Sequence, residues 1–184
     1  LILRTLQQAK KSACAEQVFV VCDDQRIIDA VKPHHEQVIK SQGNFESGTD
    51  RIAAALLPLN AERVVNLQVD EPFIDPNEID SLFQALEDSD TDMATLRAPL
   101  EQADELNNPD IVKVVCSDSQ DAMYFSRAAI PYKRNCNPCG QVWYKHIGIY
   151  AYQHSALKTF CALPPHPLEL TEKLHPTPAV GGSP

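Results

Sequence analysis

Two short apolar runs, each ending in a pair of acidic residues, limit most strongly what this chain can fold into. The runs cover residues 17–22 and 63–69, and their acidic pairs begin at Asp23 and Asp70. Short, nearly continuous apolar runs are typical of buried parallel strands. A helical pattern follows each run, so the sequence predicts alternating strands and helices, which is the arrangement of an α/β fold.

Caps and apolar stripes locate the helices between and after these strands. Ser47 and Asp50 have the spacing of a capping box, and Asp75 is followed by proline at the first helical position. The predicted helices cover residues 3–12, 25–31, 48–59, 76–86 and 155–161.

The second half of the chain has a different pattern. Residues 111–116 and 122–125 are apolar, and the five residues between them suit the loop of a β-hairpin. Further strands are predicted at 93–96 and 147–152. The sequence therefore predicts an α/β sheet that carries an antiparallel insertion.

Charge and hydropathy exclude two classes of partner. Asp and Glu number 25 against 16 Lys and Arg, which gives a net charge of −9. Such an acidic chain is a poor sequence-independent ligand for DNA or RNA. No apolar run approaches the ~20 residues of a membrane span. We therefore expect neither a nucleic-acid partner nor a membrane partner.

The six cysteines indicate reduced thiols more than a structural framework. Cys136 and Cys139 form a single C-x-x-C pair, and without a second pair this is weak evidence for zinc. A loop that carries two thiols is the preferred interpretation. Free thiols are typical of a cytoplasmic protein.

Asp70 is the strongest candidate for chemistry. Ligands of open α/β sheets bind beyond the carboxyl ends of the strands, and a carboxylate held there suits a hard cation such as Mg²⁺. Gln68, two residues earlier, is predicted to project from the same side of the strand. The alternative is that the acids at these strand ends only cap the helices that follow.

Ser47 and Gly48 offer backbone N–H groups to a phosphate or a base, and an ordinary helix cap is the alternative there.

Three positions in the second half have both a functional and a structural interpretation. His146 and Tyr150 are predicted to share one face of a strand, where a buried His–Tyr pair is the alternative to a ligand contact. Arg127 belongs to a scattered basic set whose alternative role is a solvated surface charge.

Neither G-x-x-x-x-G-K-[ST] nor G-x-G-x-x-G occurs, which excludes a P-loop and a standard dinucleotide site.

Seven segments, read in order, resemble one family. They are ESGTDR (46–51), VVNLQVDEPFI (64–74), DMATL (92–96), NPDIVKVV (108–115), AMYFSRAAIPY (122–132), KHIGIYAY (145–152) and PPHPLELTEKL (164–174). Over residues 1 to about 174 the chain is similar to the 3-deoxy-manno-octulosonate (Kdo) cytidylyltransferases, the CMP-Kdo synthetases of lipopolysaccharide synthesis.

The resemblance implies a fold, a reaction and an assembly. The fold is a Rossmann-like, mostly parallel sheet flanked by helices, with a smaller antiparallel sheet inserted. The reaction forms CMP-Kdo and pyrophosphate from CTP and Kdo with Mg²⁺, in the cytoplasm. The family forms homodimers through the smaller sheet.

The resemblance also assigns roles to residues. Asp70 matches the catalytic aspartate that holds the metal and the nucleotide, and Gln68 matches a glutamine that contacts both substrates. Ser47 and Gly48 fall in the loop on the cytidine side. The positions that match the lining of the sugar pocket are Arg127, His146 and Tyr150, where an arginine fits the carboxylate of Kdo.

Two elements of the family pattern have no counterpart here. They are the first strand with its arginine- and lysine-bearing loop, and a later metal-binding aspartate. His175 and Pro176 stand where the family has a glutamate and a glutamine that contact the sugar. We therefore expect one nucleotidyltransferase-like domain over residues 1–174 that lacks these parts, an irregular tail over 175–184, and no activity from this chain alone. The alternative is a truncated or decayed, non-catalytic copy that keeps residual sugar or nucleotide binding.

Overall fold

A computed structural model describes residues 1–45, 47–59, 61–88, 90–134, 143–164 and 166–174. The chain divides into two compact units, each with contacts of its own. The first unit comprises Leu1–Thr95 and Ile149–Leu163, and the second comprises Leu96–Gly148 and Pro164–Pro184. The predicted single domain over residues 1–174 stays a prediction. The C-x-x-C pair and the tail lie outside the described residues.

The first unit holds most of the helices. Its elements are α1 (Ile2–Ala9), β1 (Val20–Cys22), α2 (Gln25–Val31), β2 (Val38–Lys40), α3 (Gly48–Leu56) with a 3₁₀ turn (Leu57–Leu59), β3 (Arg63–Asn66), α4 (Pro76–Ala85) and α6 (His154–Ala162). Strands β4 (Met93–Pro99) and β7 (Tyr144–Gln153) contribute residues to both units. The second unit adds α5 (Ala103–Asn107), β5 (Lys113–Cys116), β6 (Ala122–Ser126) and α7 (Pro167–Glu172).

The α/β class predicted from the sequence is confirmed. Strands β1 and β2 form the parallel pair, with Val20 opposite Val38. Strand β3 pairs antiparallel with the second half of β7, where Asn66 lies opposite Tyr150. In the second unit β5 pairs antiparallel with both β6 and the first half of β7, so the predicted hairpin is also confirmed.

Local signals explain most helix boundaries. Asp75 caps α4 by accepting from the Asn77 N–H at 2.9 Å, and Glu78 completes the capping box by accepting from the Asp75 N–H at 3.1 Å. Asp24 caps α2 by accepting from the Arg26 N–H at 2.8 Å. One of the two acids that end the first apolar run therefore has the capping role that the sequence left open.

Two apolar clusters form part of the core of the first unit. One packs α1 and α2 on β1, and the other packs α3 and α6 on β3 and β7. Their buried members are Leu6, Val20, Cys22, Ile28 and Val31 in the first, and Ala53, Val64, Tyr150, Tyr152 and Leu157 in the second.

A cavity of about 600 Å³ separates β1 from β3 within the first unit. Side chains of both strands line it, including Val21 and Val65, together with Leu6 from α1 and Phe83 from α4. Within the described residues β1 pairs only with β2, and β3 pairs only with β7. The space therefore lies between the two strands.

No helix in the described part of the chain is long and apolar enough to cross a membrane.

Candidate functional site

The acidic residues that follow β3 lie in a loop, not in the strand. Strand β3 ends at Asn66, three residues earlier than the sequence predicts. A turn then forms in which the Glu71 N–H donates to the Gln68 carbonyl at 3.3 Å. The strand alternation that was expected to align Gln68 with Asp70 therefore does not extend to them. The side chains of Gln68 and Asp70 are both exposed.

The start of α3 is held against the end of β3 by one buried hydrogen bond. Asn66 Nδ2 donates to Thr49 Oγ1 at 3.2 Å, and both residues are buried. The predicted capping box at this helix start is confirmed: Ser47 Oγ accepts from the Asp50 N–H at 3.1 Å, and Asp50 accepts from the Ser47 N–H at 3.1 Å. The space that a side chain would occupy at Gly48 is open. The helix start therefore presents backbone N–H groups with room for an anion.

A pair of opposite charges lies at the end of β1. Arg51, in the first turn of α3, donates to Asp23 at 2.9 Å, and its guanidinium lies 6.0 Å from the centre of the Phe45 ring. This contact ties the end of β1 to the same helix start that Asn66 ties to β3. The carboxyl ends of both strands thus meet the amino end of α3.

The charges around Asp70 suit a cation. Burial, and then the neighbouring charges of Asp70 and Glu78, raise the pKa of Glu71. Two adjacent carboxylates repel each other, and a divalent cation relieves that repulsion. The described residues contain no cluster of three or more His, Cys, Asp or Glu arranged for a metal. One or two protein carboxylates with substrate phosphates as the other ligands is the usual arrangement for Mg²⁺, and the donors present fit it.

In the second unit, Arg127 is held by main-chain carbonyls. Its Nε donates to the Glu172 carbonyl at 2.7 Å, Nη1 to the Pro109 carbonyl at 2.8 Å, and Nη2 to the Lys173 carbonyl at 3.2 Å. Among the described residues no carboxylate lies within ion-pair distance of this guanidinium. The position of the guanidinium is therefore fixed by three neutral carbonyl groups.

Two further charged residues build this environment: Lys113, which belongs to the same scattered basic set as Arg127 but is not a solvated surface charge, and Glu172, which the sequence did not single out. Lys113 is fully buried, and its Nζ donates to the carbonyls of Asn108, Ile111 and Arg127 at 2.6–2.8 Å. Glu172 accepts from the Arg127 N–H at 2.6 Å and from Ser126 Oγ at 2.9 Å. The sequence signal for Lys113 was its position inside an apolar strand. A lysine buried there must find several hydrogen-bond acceptors.

His146 lies on β7 and packs its ring edge-on against Phe125, with 4.9 Å between ring centres. Burial lowers the pKa of His146 to about 4. The imidazole is therefore neutral at physiological pH. A neutral imidazole suits a sugar hydroxyl better than a phosphate, since it carries no charge.

This shifted pKa predicts a pH-dependent stability. The folded-state pKa of about 4 lies below the ordinary value of 6.5, so the unfolded chain takes up the proton first as pH falls. Stability conferred by neutral His146 is complete above pH 6.5 and is lost progressively towards pH 4. Chemical denaturation of the native chain and of His146→Gln at several pH values should diverge by about 3 kcal/mol over this range. Parallel curves would contradict the assignment.

Tyr150 lies in the core of the first unit. Only 3% of its surface is exposed, and its ring stacks on Tyr152 at 6.2 Å. Burial raises its pKa, so the hydroxyl stays protonated. The ring of Tyr150 is therefore part of the core, where it stacks on Tyr152. The predicted role of Tyr150 in sugar binding stays a prediction.

The chain and its relatives share this architecture along most of their length. Residues 1–180 match the cytidylyltransferase family. A 3-deoxy-manno-octulosonate cytidylyltransferase of Chloroherpeton thalassium is 41% identical over 95% of this chain and 72% of its own length. The corresponding protein of Flavobacterium johnsoniae is 42% identical over 94% of this chain and 72% of its own length.

A solved structure gives the same result. The structure of CMP:2-keto-3-deoxy-manno-octonic acid synthetase complexed with CTP superimposes with a TM-score of 0.88 at 37% identity, covering 94% of this chain and 71% of that one. The fold is thus that of a nucleotidyltransferase that uses CTP. More particularly, the chain belongs to the 3-deoxy-manno-octulosonate cytidylyltransferase family, as its sequence segments indicated. Cytidylyltransferases work with a divalent metal.

Proposed function

We propose that this chain is the catalytic scaffold for forming CMP-Kdo from CTP and Kdo, in the cytoplasm and for lipopolysaccharide synthesis. The anomeric hydroxyl oxygen of Kdo forms a bond to the α-phosphorus of CTP. The bond from that phosphorus to the bridging oxygen breaks, pyrophosphate leaves with the electron pair, and the hydroxyl proton passes to solvent. The exposed acidic loop after β3, in a chain of this family, is the observation that carries the proposal.

The nucleotide is assigned to the first unit. Asp70, with Glu71 beside it, is the group that would hold Mg²⁺, which when bound neutralises phosphate charge and polarises the phosphoryl group. The start of α3 at Gly48, where the space beside the backbone is open, is assigned to an acceptor on the nucleotide, while Ser47 maintains the cap. Gln68 is exposed beside Asp70 and has an amide to offer to either substrate.

The sugar is assigned to Arg127, His146 and Tyr150. The guanidinium of Arg127 pairs with the sugar carboxylate, because that charge is otherwise balanced only by neutral carbonyls. Neutral His146 and the protonated Tyr150 hydroxyl are suited to hydroxyl groups. The chain's own part in the reaction is therefore to bind, orient and neutralise charge, which is how phosphoryl-type transfers are accelerated.

A chimera tests the proposal directly. Residues 1–174 would replace the matched region of the Chloroherpeton thalassium relative, so that both flanking segments are supplied. We expect this chimera to release pyrophosphate from CTP only when Kdo and Mg²⁺ are present. The inactivity of residues 1–184 alone stays a prediction, which the same assay checks. An inactive chimera that folds with normal stability would favour the non-catalytic alternative.

A homodimer is expected through the antiparallel strands of the second unit. Strand β6 is the last strand in the described sheet order, and Met123 and Tyr124 on it are exposed, as are Leu168 and Leu170 of α7. An open edge beside exposed apolar side chains favours pairing with a second copy. Light scattering at micromolar concentration should give about twice the 20.4 kDa chain mass, and Met123→Lys with Tyr124→Lys should halve it. A monomer before substitution would contradict this expectation.

A further inference from the structure

The acidic loop after β3 is too weakly held by its own hydrogen bonds to keep two carboxylates in place. Its two turns are closed by Glu71 N–H to the Gln68 carbonyl at 3.3 Å and by Ile74 N–H to the Glu71 carbonyl at 3.4 Å. Both distances lie beyond the usual range for N–H to O hydrogen bonds. Adjacent charges at Asp70 and Glu71 repel and add to the cost of this conformation. Restraint must come from outside the loop.

Helix α1 supplies that restraint from 64 to 66 residues away in the sequence. Thr5 Oγ1 donates to the Val69 carbonyl at 2.9 Å, and Gln8 Nε2 donates to the Ile74 carbonyl at 2.9 Å. The Arg4 guanidinium lies 4.7 Å from the centre of the Phe73 ring. These contacts involve both ends of the acidic loop. Thr5 and Gln8 are at i and i+3, so one side of the helix makes both hydrogen bonds.

The Thr5 contact bears directly on Asp70. The Val69 carbonyl belongs to the same planar peptide group as the Asp70 N–H. A hydrogen bond that fixes the direction of this carbonyl therefore also fixes the orientation of the backbone at Asp70. Thr5 is only 5% exposed, which makes its hydrogen bond harder for water to replace. Without it, the peptide is free to rotate and the carboxylate loses its orientation.

We propose that Thr5 and Gln8 are positioning residues for Asp70, and that α1 holds the acidic loop ready for a divalent cation. This inference rests on the proposed function, because Asp70 is the cation ligand only under that proposal. It assigns to α1 a role beyond its place in the core.

Paramagnetic broadening by Mn²⁺ alone tests the proposal on the 184-residue chain. In the native chain, Mn²⁺ should broaden the amide signals of Asp70 and Glu71, and Asp70→Asn should abolish that effect. Thr5→Val keeps the shape of the side chain but removes the donor, and should weaken Mn²⁺ binding about threefold to tenfold. Thr5→Ser restores the hydroxyl and should restore the affinity. Gln7→Met, at an exposed position on the same helix, is the matched control and should change nothing.

Amide exchange provides a second readout without metal. Thr5→Val should speed exchange of the Glu71 amide, and Gln8→Met should speed exchange of the Ile74 amide, each severalfold and at temperatures well below melting. A lower melting temperature with unchanged Mn²⁺ affinity and unchanged exchange would mean that the two residues only stabilise the fold, and would overturn the proposal. No broadening at Asp70 in the native chain, either with Mn²⁺ alone or with Mn²⁺ and CTP, would contradict the proposed function itself, and the positioning role with it.

Discussion

Replacement of Asp70 by asparagine is expected to lower turnover of the chimera by about 10³-fold while leaving its melting temperature within a degree or two. The amide keeps the size of the side chain but loses the negative charge that holds Mg²⁺. Electrostatic groups aimed at a reacting phosphate contribute roughly 10²–10³-fold each, and loss of the metal adds to that. Asp70 is exposed, so folding should not depend on its charge.

The matched control for this exchange is Asp118→Asn. Asp118 is exposed in the loop of the β5–β6 hairpin, and the substitution makes the same change in charge. We expect the control to retain normal turnover, measured as pyrophosphate release at saturating CTP, Kdo and Mg²⁺. If Asp70→Asn also turns over normally, Asp70 is only an exposed loop residue and the cation is bound elsewhere.

Local sequence signals predicted the elements of this fold well. The capping residues Asp75 and Ser47 are found in the role that their spacing predicts, because a cap depends on residues within one turn, and Asp24 has the capping role that was left open as an alternative. The class of fold and the antiparallel hairpin were also predicted. Strand β2 (Val38–Lys40) was missed, since three half-exposed residues carry no clear period.

The contacts around the candidate site could not be predicted from the sequence. Thr5 and Gln8 bind carbonyls more than 60 residues away, and neither residue type nor spacing marks such a contact. Asn66, which ties β3 to α3, was visible only as a polar residue within an apolar run. Main-chain carbonyls are the partners of Thr5, Gln8, Lys113 and Arg127. Any residue offers that acceptor, so the partner leaves no trace in the sequence.

Arg127 has two possible roles in this structure, and one substitution can distinguish them. The three contacts of Arg127 to carbonyls give it a structural role, and its positive charge allows it to bind a carboxylate. Lysine keeps the charge but cannot present two parallel N–H donors to a carboxylate. The two roles therefore predict different kinetics for the same substitution.

Arg127→Lys in the chimera is expected to raise the KM for Kdo about 10- to 100-fold and to change the KM for CTP less than about twofold. The lower figure corresponds to losing one charge-assisted hydrogen bond and the upper figure to losing a bidentate pair. Only sugar binding loses a partner, so the two constants should separate. Arg97→Lys is the matched control, because Arg97 packs over Tyr144 at 4.0 Å and has no assigned substrate contact.

The melting temperature of the same variant completes the test. Some decrease is expected, because lysine cannot reach the carbonyls of Pro109, Glu172 and Lys173 together. If the KM values for Kdo and CTP rise equally and the decrease in melting temperature is large, Arg127 holds its loop and does not read the sugar. If the KM for Kdo alone rises at temperatures where the variant is fully folded, the guanidinium contacts the sugar carboxylate, and its carbonyl partners serve to aim it.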